Sequence, residues 1–280
     1  MPDLSHLGRI VLPTDLGDNA EVIFAHAVKI ALSTHATLLV VHVHPDTDSG
    51  APWMKLPTVR ELLVRWGVLT PFDDVVDYQS LGLTMQVKEL RGVSPARDLA
   101  PFVEGMKPDL LVVGTHQRLG VDRLLDGSVA ERLARKLGGA ALFIPVDGVG
   151  FIDPHTGAVG LYRVVLPVGE DVDPHIVLDA FTSLWRALGA EGPTRVTLVH
   201  AGDPQAFPEM ALPADKSFEA RLVFRDAPVV EAVLAEARAA RADLVVMPTH
   251  GHDSVLDALR GSKTERVLRQ ARCPVLTLPI

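Results

Sequence analysis

The 280-residue sequence holds a single cysteine, Cys273. No intramolecular disulfide can form, which suits a reducing compartment. Positive charge is also short: 27 Lys and Arg face 35 Asp and Glu, a formal net charge of −8. That balance excludes the electrostatic footprint needed to wrap nucleic acid. It equally excludes the basic face of a membrane-surface helix. The longest apolar runs, such as "ATLLVV" and "DLLVV", are far too short to span a bilayer. The opening "MPDLSHLGRIVLPTD" has no basic start followed by an apolar stretch and goes straight into a strand-like segment. The expectation is a soluble, cytoplasmic protein with no nucleic-acid or membrane partner. Catalytic signatures are missing too. There is no G-x-S-x-G elbow, no H-E-x-x-H and no paired-cysteine motif, so no enzyme is expected.

What the sequence does have is a globular composition, 48% hydrophobic and 22% charged, with ample material for a core. It also has a repeat. "DLLVVGTHQRLGVDRLLDGSVAERL" begins at Asp109 and "DLVVMPTHGHDSVLDALRGSKTERVL" at Asp243. They align without a gap, pairing Thr115-His116 with Thr249-His250, Gly127-Ser128 with Gly261-Ser262 and Pro145 with Pro279. Upstream, "RIVLPTD" from Arg9 matches "RVVLPVG" from Arg163 at a different offset, so the first copy carries extra residues between His44 and Leu90. The unit is domain-sized. Domains are expected over 1–147 and 161–280, joined by a Gly-rich linker over 148–160.

Each copy alternates short apolar runs with helical patterns. In the first, strands are expected at Arg9–Pro13, Thr37–His42, Thr84–Glu89, Leu110–Gly114 and Ala141–Pro145. "NAEVIFAHAVKIALST" reads as a helix with Asp18 or Asn19 as cap, and "SPARDLAPFVEGMKPD" as one opened by Ser94 and Pro95. "LPTVRELLVRW" and "GSVAERLARKLG" are further helices; "APVVEAVLAEARAARAD" and "GSKTERVLRQARC" repeat two of them in the second copy. "TPFDDVVDYQSLG" is ambiguous, and "GDPQAFPEMALPADKS" reads as a loop with at most a short helix. Such alternation means a parallel sheet covered on both faces.

The chemistry sits at two strand ends. "LPTD" closes the first strand with Asp15, a short acceptor for a base or sugar hydroxyl. After the fourth strand, Gly-Thr-His leads through a loop to Gly-Ser at a helix start. Backbone N–H groups there have no internal partners and carry partial positive charge, and glycine lets them approach a phosphate. Plainer readings stand beside these: Asp15 as a turn cap, and Gly127-Ser128 as an ordinary helix start. His42 and His44 point the same way along a strand, and His250 and His252 flank a glycine, but zinc wants three or four converging ligands. His42 with His200, like His116 with His250, occupy repeat-matched positions that also fit ordinary strand-end packing, so no metal is expected. Cys273, before Pro274, reads as a buried small apolar residue.

These phrases, with "VLPTD" and the closing "ARCPVLTLP", resemble the universal stress protein family in its tandem two-domain form, over nearly the whole chain. The resemblance implies two doubly wound α/β domains, each a five-stranded parallel sheet of order 3-2-1-4-5 with helices on both faces. Ligands in such sheets bind where the order reverses, between strands 1 and 4. Many members bind ATP through Gly, two residues, Gly, nine residues, then Gly and Ser or Thr. Carried over, the first copy offers Asp15, Val41, Gly114, His116, Gln117, Gly127 and Ser128, with Gln117 replacing the middle glycine. The second offers Gly251, Gly261 and Ser262, with Pro248 replacing the first glycine and Gly169 standing where Asp15 does. ATP is therefore expected in the N-terminal half if in either. Single-domain relatives dimerise through strand 5. The resemblance therefore implies that Ala141–Pro145 and Val275–Pro279 pair antiparallel, making an intramolecular pseudo-dimer. Homo-oligomers remain open to it, and action through a partner without nucleotide is the alternative reading.

Overall fold

The structure, a computed structural model, describes residues 4–17, 19–44, 53–73, 76–92, 95–115, 139–169, 173–208, 217–249 and 263–279. The first half runs β1 (Arg9–Pro13), α1 (Ala20–Thr34), β2 (Thr37–His44), α2 (Val59–Arg65), β3 (Thr84–Arg91), α3 (Pro95–Met106), β4 (Leu110–Thr115) and β5 (Ala140–Pro145). The second runs β6 (Arg163–Val168), α4 (Pro174–Ala187), β7 (Thr194–Ala201), β8 (Phe218–Arg225), α5 (Val229–Ala240), β9 (Leu244–Thr249), α6 (Lys263–Gln270) and β10 (Val275–Pro279). Short 3-10 turns lie at Trp53–Lys55 and Pro204–Ala206.

All ten strands form one sheet, ordered β3-β2-β1-β4-β5-β10-β9-β6-β7-β8. Each half is thus a 3-2-1-4-5 sheet, parallel throughout, as the resemblance implies. The one antiparallel pairing among these ten strands joins them: Val275 lies opposite Phe143, Leu276 opposite Leu142 and Thr277 opposite Ala141. Leu142 and Leu276 are repeat-matched residues, so the pseudo-two-fold axis passes between them. The Thr277 hydroxyl donates to the Ala141 carbonyl at 3.2 Å across the seam. The outer edges expected at strand 5 have become the middle of the sheet, which removes two liabilities at once.

The continuous apolar runs follow from burial on both faces. Ile10, Leu12, Leu38, Val40 and Leu142 face one core, with α1, α2 and α4. Val11, Leu39, Val41, Leu111 and Phe143 face the other, with α3, α5 and α6. Matched carboxylates brace the strand starts. Asp109 accepts from the backbone N–H groups of Gly8 and Arg9, each at 2.8 Å. Asp243 does the same for Tyr162 and Arg163 at 3.0 and 2.8 Å, and also takes the Arg163 guanidinium at 2.7 Å.

The Gly-rich segment after β5 is not slack. Ile152 bridges Val159 in a small antiparallel turn, and Phe151, Ile152 and Leu161 are buried in the first core. The turn docks on the first half. Ile152 N–H donates to His26 Nε2 at 3.0 Å, and Trp66 Nε1 donates to the Pro154 carbonyl at 3.1 Å. Gly150 lies so close to the His26 ring that a Cβ would sit 2.0 Å from its Cε1. Its glycine is a packing requirement. His26 is fully buried on α1, and its Nδ1 donates to the Val22 carbonyl at 2.7 Å. Burial, only partly opposed by that bond, pushes its pKa down to about 4. Ring and turn therefore meet with His26 neutral.

Candidate functional site

The sheet order reverses between β1 and β4, which pair directly through Ile10 with Leu110 and Val11 with Leu111. Their C-terminal ends flank one crevice. Thr14 N–H donates to the Val41 carbonyl at 2.9 Å, and His42 Nδ1 donates to the Thr14 carbonyl at 2.8 Å. Two side chains then steer the turn into α1. Thr14 Oγ1 accepts from Leu16 N–H at 3.0 Å, and Asp15 Oδ1 accepts from Gly17 N–H at 2.9 Å. Leu16 and Asn19 have φ of 56° and 64°. A left-handed leucine costs about 1 kcal/mol, and here its burial in the core holds it. Asn19 is the helix cap by position, but its side chain makes no capping bond; a propensity-based reading gives it one.

Asp15 is exposed at the crevice with one oxygen engaged in its own turn, so the plainer reading of it as a turn cap holds at that oxygen. Val41 is fully buried, and its carbonyl already accepts from Thr14. Gly114, near the end of β4, has a reason that the sequence does not show. A Cβ there would meet Ile23 Cδ1 of α1 at 2.5 Å and Val146 Cγ1 at 3.2 Å. His116, Gln117, Gly127, Ser128, Gly251, Gly261 and Ser262 lie outside the described residues. So does the helix expected over "GSVAERLARKLG".

Sequence reasoning missed what closes the crevice's flank. His42 and His44 are buried and stacked, with centroids 6.3 Å apart, and Trp53 packs edge-on against His42 at 5.8 Å. Glu89 of β3 accepts from Trp53 Nε1 and lies 3.7 Å from His44 Nε2. The extra residues of the first copy thus bring Trp53 to the strand ends. The sequence marked His42 and His44, but for Trp53 it offered no more than an aromatic in the expanded segment.

The second crevice lies between β6 and β9, in the same register. His200 Nδ1 lies 3.0 Å from the Val168 carbonyl, matching His42, and its Nε2 lies 3.0 Å from the Asp203 carbonyl. Phe207 and Phe224 stand edge-on to its ring at 5.6 and 6.0 Å. Gly169 replaces Asp15, and a Cβ there would meet nothing within 4 Å. Pro248 replaces Gly114 in β9, removing a backbone donor. Cys273, buried two residues before β10, has its thiol pushed up to about 12 by burial and the nearby Asp243 charge, so it is not a nucleophile. Among the described residues no His, Cys, Asp or Glu cluster could hold a metal, and no helix is long and apolar enough to cross a membrane.

A family model for the universal stress proteins matches residues 6–139 and 206–279. A universal stress protein of Methanocaldococcus jannaschii is 32% identical over 133 residues, covering 45% of this chain and 75% of that protein. Among solved structures, a universal stress protein from Archaeoglobus fulgidus matches with a TM-score of 0.56 at 17% identity, over 97% of this chain and 98% of its own. A Pseudomonas aeruginosa protein of unknown function matches with a TM-score of 0.60 at 12% identity, over 100% and 95%. At these identities the two structures speak for the fold alone, through both halves and their junction. With the family model covering most of both repeats, the chain belongs to the universal stress protein family, in its tandem form.

Proposed function

We propose that this stress-response protein is a cytoplasmic regulator whose N-terminal crevice takes an adenine nucleotide, ATP being the expected one. The observation that carries this is the asymmetry at matched positions. The first crevice offers an exposed carboxylate, Asp15, at the end of β1 and a glycine, Gly114, at the end of β4. The second offers Gly169 and Pro248. A carboxylate can accept from a ribose hydroxyl or base amine, and His116, Gln117, Gly127 and Ser128 supply the phosphate end on the family pattern. Gln117 limits affinity, because it stands where the pattern has glycine. Gly251, Gly261 and Ser262 are left as a phosphate-sized remnant. No catalytic step is assigned to either crevice.

A second reading follows from Asp15 itself. One of its oxygens is already engaged by Gly17, so the crevice is a weaker acceptor than the sequence alone suggests. In that reading the protein binds no nucleotide and acts through a partner. The folded unit is an intramolecular pseudo-dimer, and the proposal extends to its self-association. Mass spectrometry of nucleotide released from freshly purified, denatured protein separates the two readings. Calorimetric titration then tests the site: Asp15→Ala should weaken ATP binding by about tenfold, and Gln117→Gly should tighten it. If neither variant changes the titration, the site is not there.

A further inference from the structure

The seam between β5 and β10 shows how this fold joins strands across a two-fold axis. A leucine pair sits on the axis, and a large residue faces a smaller one on each side: Phe143 with Val275, Ala141 with Thr277. A leucine also stands at the middle of a free edge, with a small and a large apolar residue two positions to either side, Ala220 and Phe224. β8 closes the sheet at one end. The Ser217 carbonyl accepts from Thr194 N–H, and the Arg225 carbonyl accepts from Gly202 N–H, so the odd-numbered residues of β8 turn their backbone groups toward β7. Ala220, Leu222 and Phe224 therefore turn theirs outward. Leu222 and Phe224 are among the exposed large hydrophobics, 39% and 41% accessible.

We propose that β8 is the seam of a dimer of two copies of this chain, paired antiparallel about Leu222. In that register Leu222 faces its own copy, and Ala220 faces Phe224 on both sides. The outward backbone groups of Ala220, Leu222 and Phe224 then meet those of Phe224, Leu222 and Ala220 on the other copy. The opposite sheet face agrees. Glu219 falls opposite Arg225 of the second copy, twice over. Both side chains keep exposure for this, 63% and 45%, while paired within their own copy to Arg195 and Glu236. The cross-pairs would link these into one alternating row of charge.

The other edge, β3, does not self-complement. Gly92 N–H donates to the His44 carbonyl, so Met85, Val87, Glu89 and Arg91 face outward. Pairing about Lys88 sets two ammonium groups opposite each other. Pairing about Val87 sets the apolar Met85 against the Glu89 carboxylate on both sides, with no basic residue directly opposite it. Like charges facing across an edge are a device against pairing.

The test is sedimentation velocity of the full chain across a concentration series, with circular dichroism to confirm folding. A dimer is expected, and Leu222→Lys should raise its dissociation constant about tenfold or more with the spectrum unchanged. In a Cys273→Ser background, Leu222→Cys should cross-link two copies on mild oxidation, since directly opposed residues lie about 5.5 Å apart, within disulfide reach. Val87→Cys should not. A folded monomer at all concentrations would overturn the proposal. So would a dimer that ignores Leu222→Lys, or cross-linking through Val87→Cys instead.

Discussion

The two halves share a backbone plan and differ in what fills it. Both hold a buried histidine against the carbonyl at the end of their first strand, His42 on Thr14 and His200 on Val168. Both cover that histidine with aromatics, but from different sources. The first half uses Trp53 from its expanded middle; the second uses Phe207 and Phe224, from a short loop and the edge strand. The crevices diverge where a ligand would be held: Asp15 against Gly169, Gly114 against Pro248. Duplication has kept the strand-end scaffold in both halves and let the polar contents drift in one. The scaffold is tied to the common sheet, since each half's strand 5 pairs with the other's. Asp15 answers only to its own turn, whereas Gly114 is also held by Ile23 and Val146.

The largest effect should come from breaking the axis that relates the halves. Leu276 is fully buried opposite Leu142. Leu276→Asp puts a carboxylate into the core it shares with Leu142, with no described basic partner, a cost of about 4 kcal/mol or more. Urea denaturation should show the loss, and small-angle scattering should show the halves separating. A variant as stable as the parent would mean that the halves do not share an edge.

The next effect separates the halves by pH. His26 occupies the core of the first half; its repeat counterpart on α4 is Ala180, also buried. His26 must stay neutral, because its Nε2 accepts from Ile152 N–H and its Nδ1 donates to the Val22 carbonyl. Burial holds its folded pKa at about 4, below the ordinary imidazole value of 6.5. The unfolded chain therefore takes the proton first. The stability from neutral His26 is complete above about pH 6.5 and drains as the pH falls toward 4, by about 3 kcal/mol. His26→Ala will be less stable at neutral pH but should lose about 3 kcal/mol less on acidification. Parallel pH profiles for parent and variant would refute the assignment. The inter-repeat turn should undock with the proton, visible as faster hydrogen exchange at Ile152.

Much of this was legible in the sequence, for identifiable reasons. Strands buried on both faces announce themselves as unbroken apolar runs, and all five expected in the first half are present. Their ends were less legible: β2 continues to His44 and β3 to Arg91, where polar residues still pair in the ladder. The helix expected across "LPTVRELLVRW" narrows to Val59–Arg65, because Thr58 and Glu61 form a reciprocal capping box that fixes its start. The docking of the inter-repeat turn was not legible. Its key bond joins residues 126 apart, and nothing local in "DGVGFIDPHTGAVG" points to His26. Glycines there look like slack, yet Gly150 is required by a ring and Gly157 packs on Trp66 at a φ of +69°.

The smallest expected effect bears on the crevice itself and explains how Pro248 is tolerated. At Gly114 the nearest obstacle to a side chain is Ile23 Cδ1, the outer methyl of a buried α1 residue. The matching position on α4 is Val177, which has no such atom. The shorter valine is the change a proline ring at the matched strand position calls for, and the repeat alignment pairs the two differences. Gly114→Ala should cost about 1–2 kcal/mol, because Ile23 is packed in the core and cannot swing aside freely. In an Ile23→Val background the added cost should fall below about 0.5 kcal/mol, a coupling of about 1 kcal/mol in a double-mutant cycle. The remaining contact, Val146 Cγ1 at 3.2 Å, is tight but tolerable. Denaturation of the parent, both single variants and the double variant completes the cycle. Strict additivity would mean that Gly114 is not held by the first turns of α1. Its glycine would then have to be explained by the ligand alone.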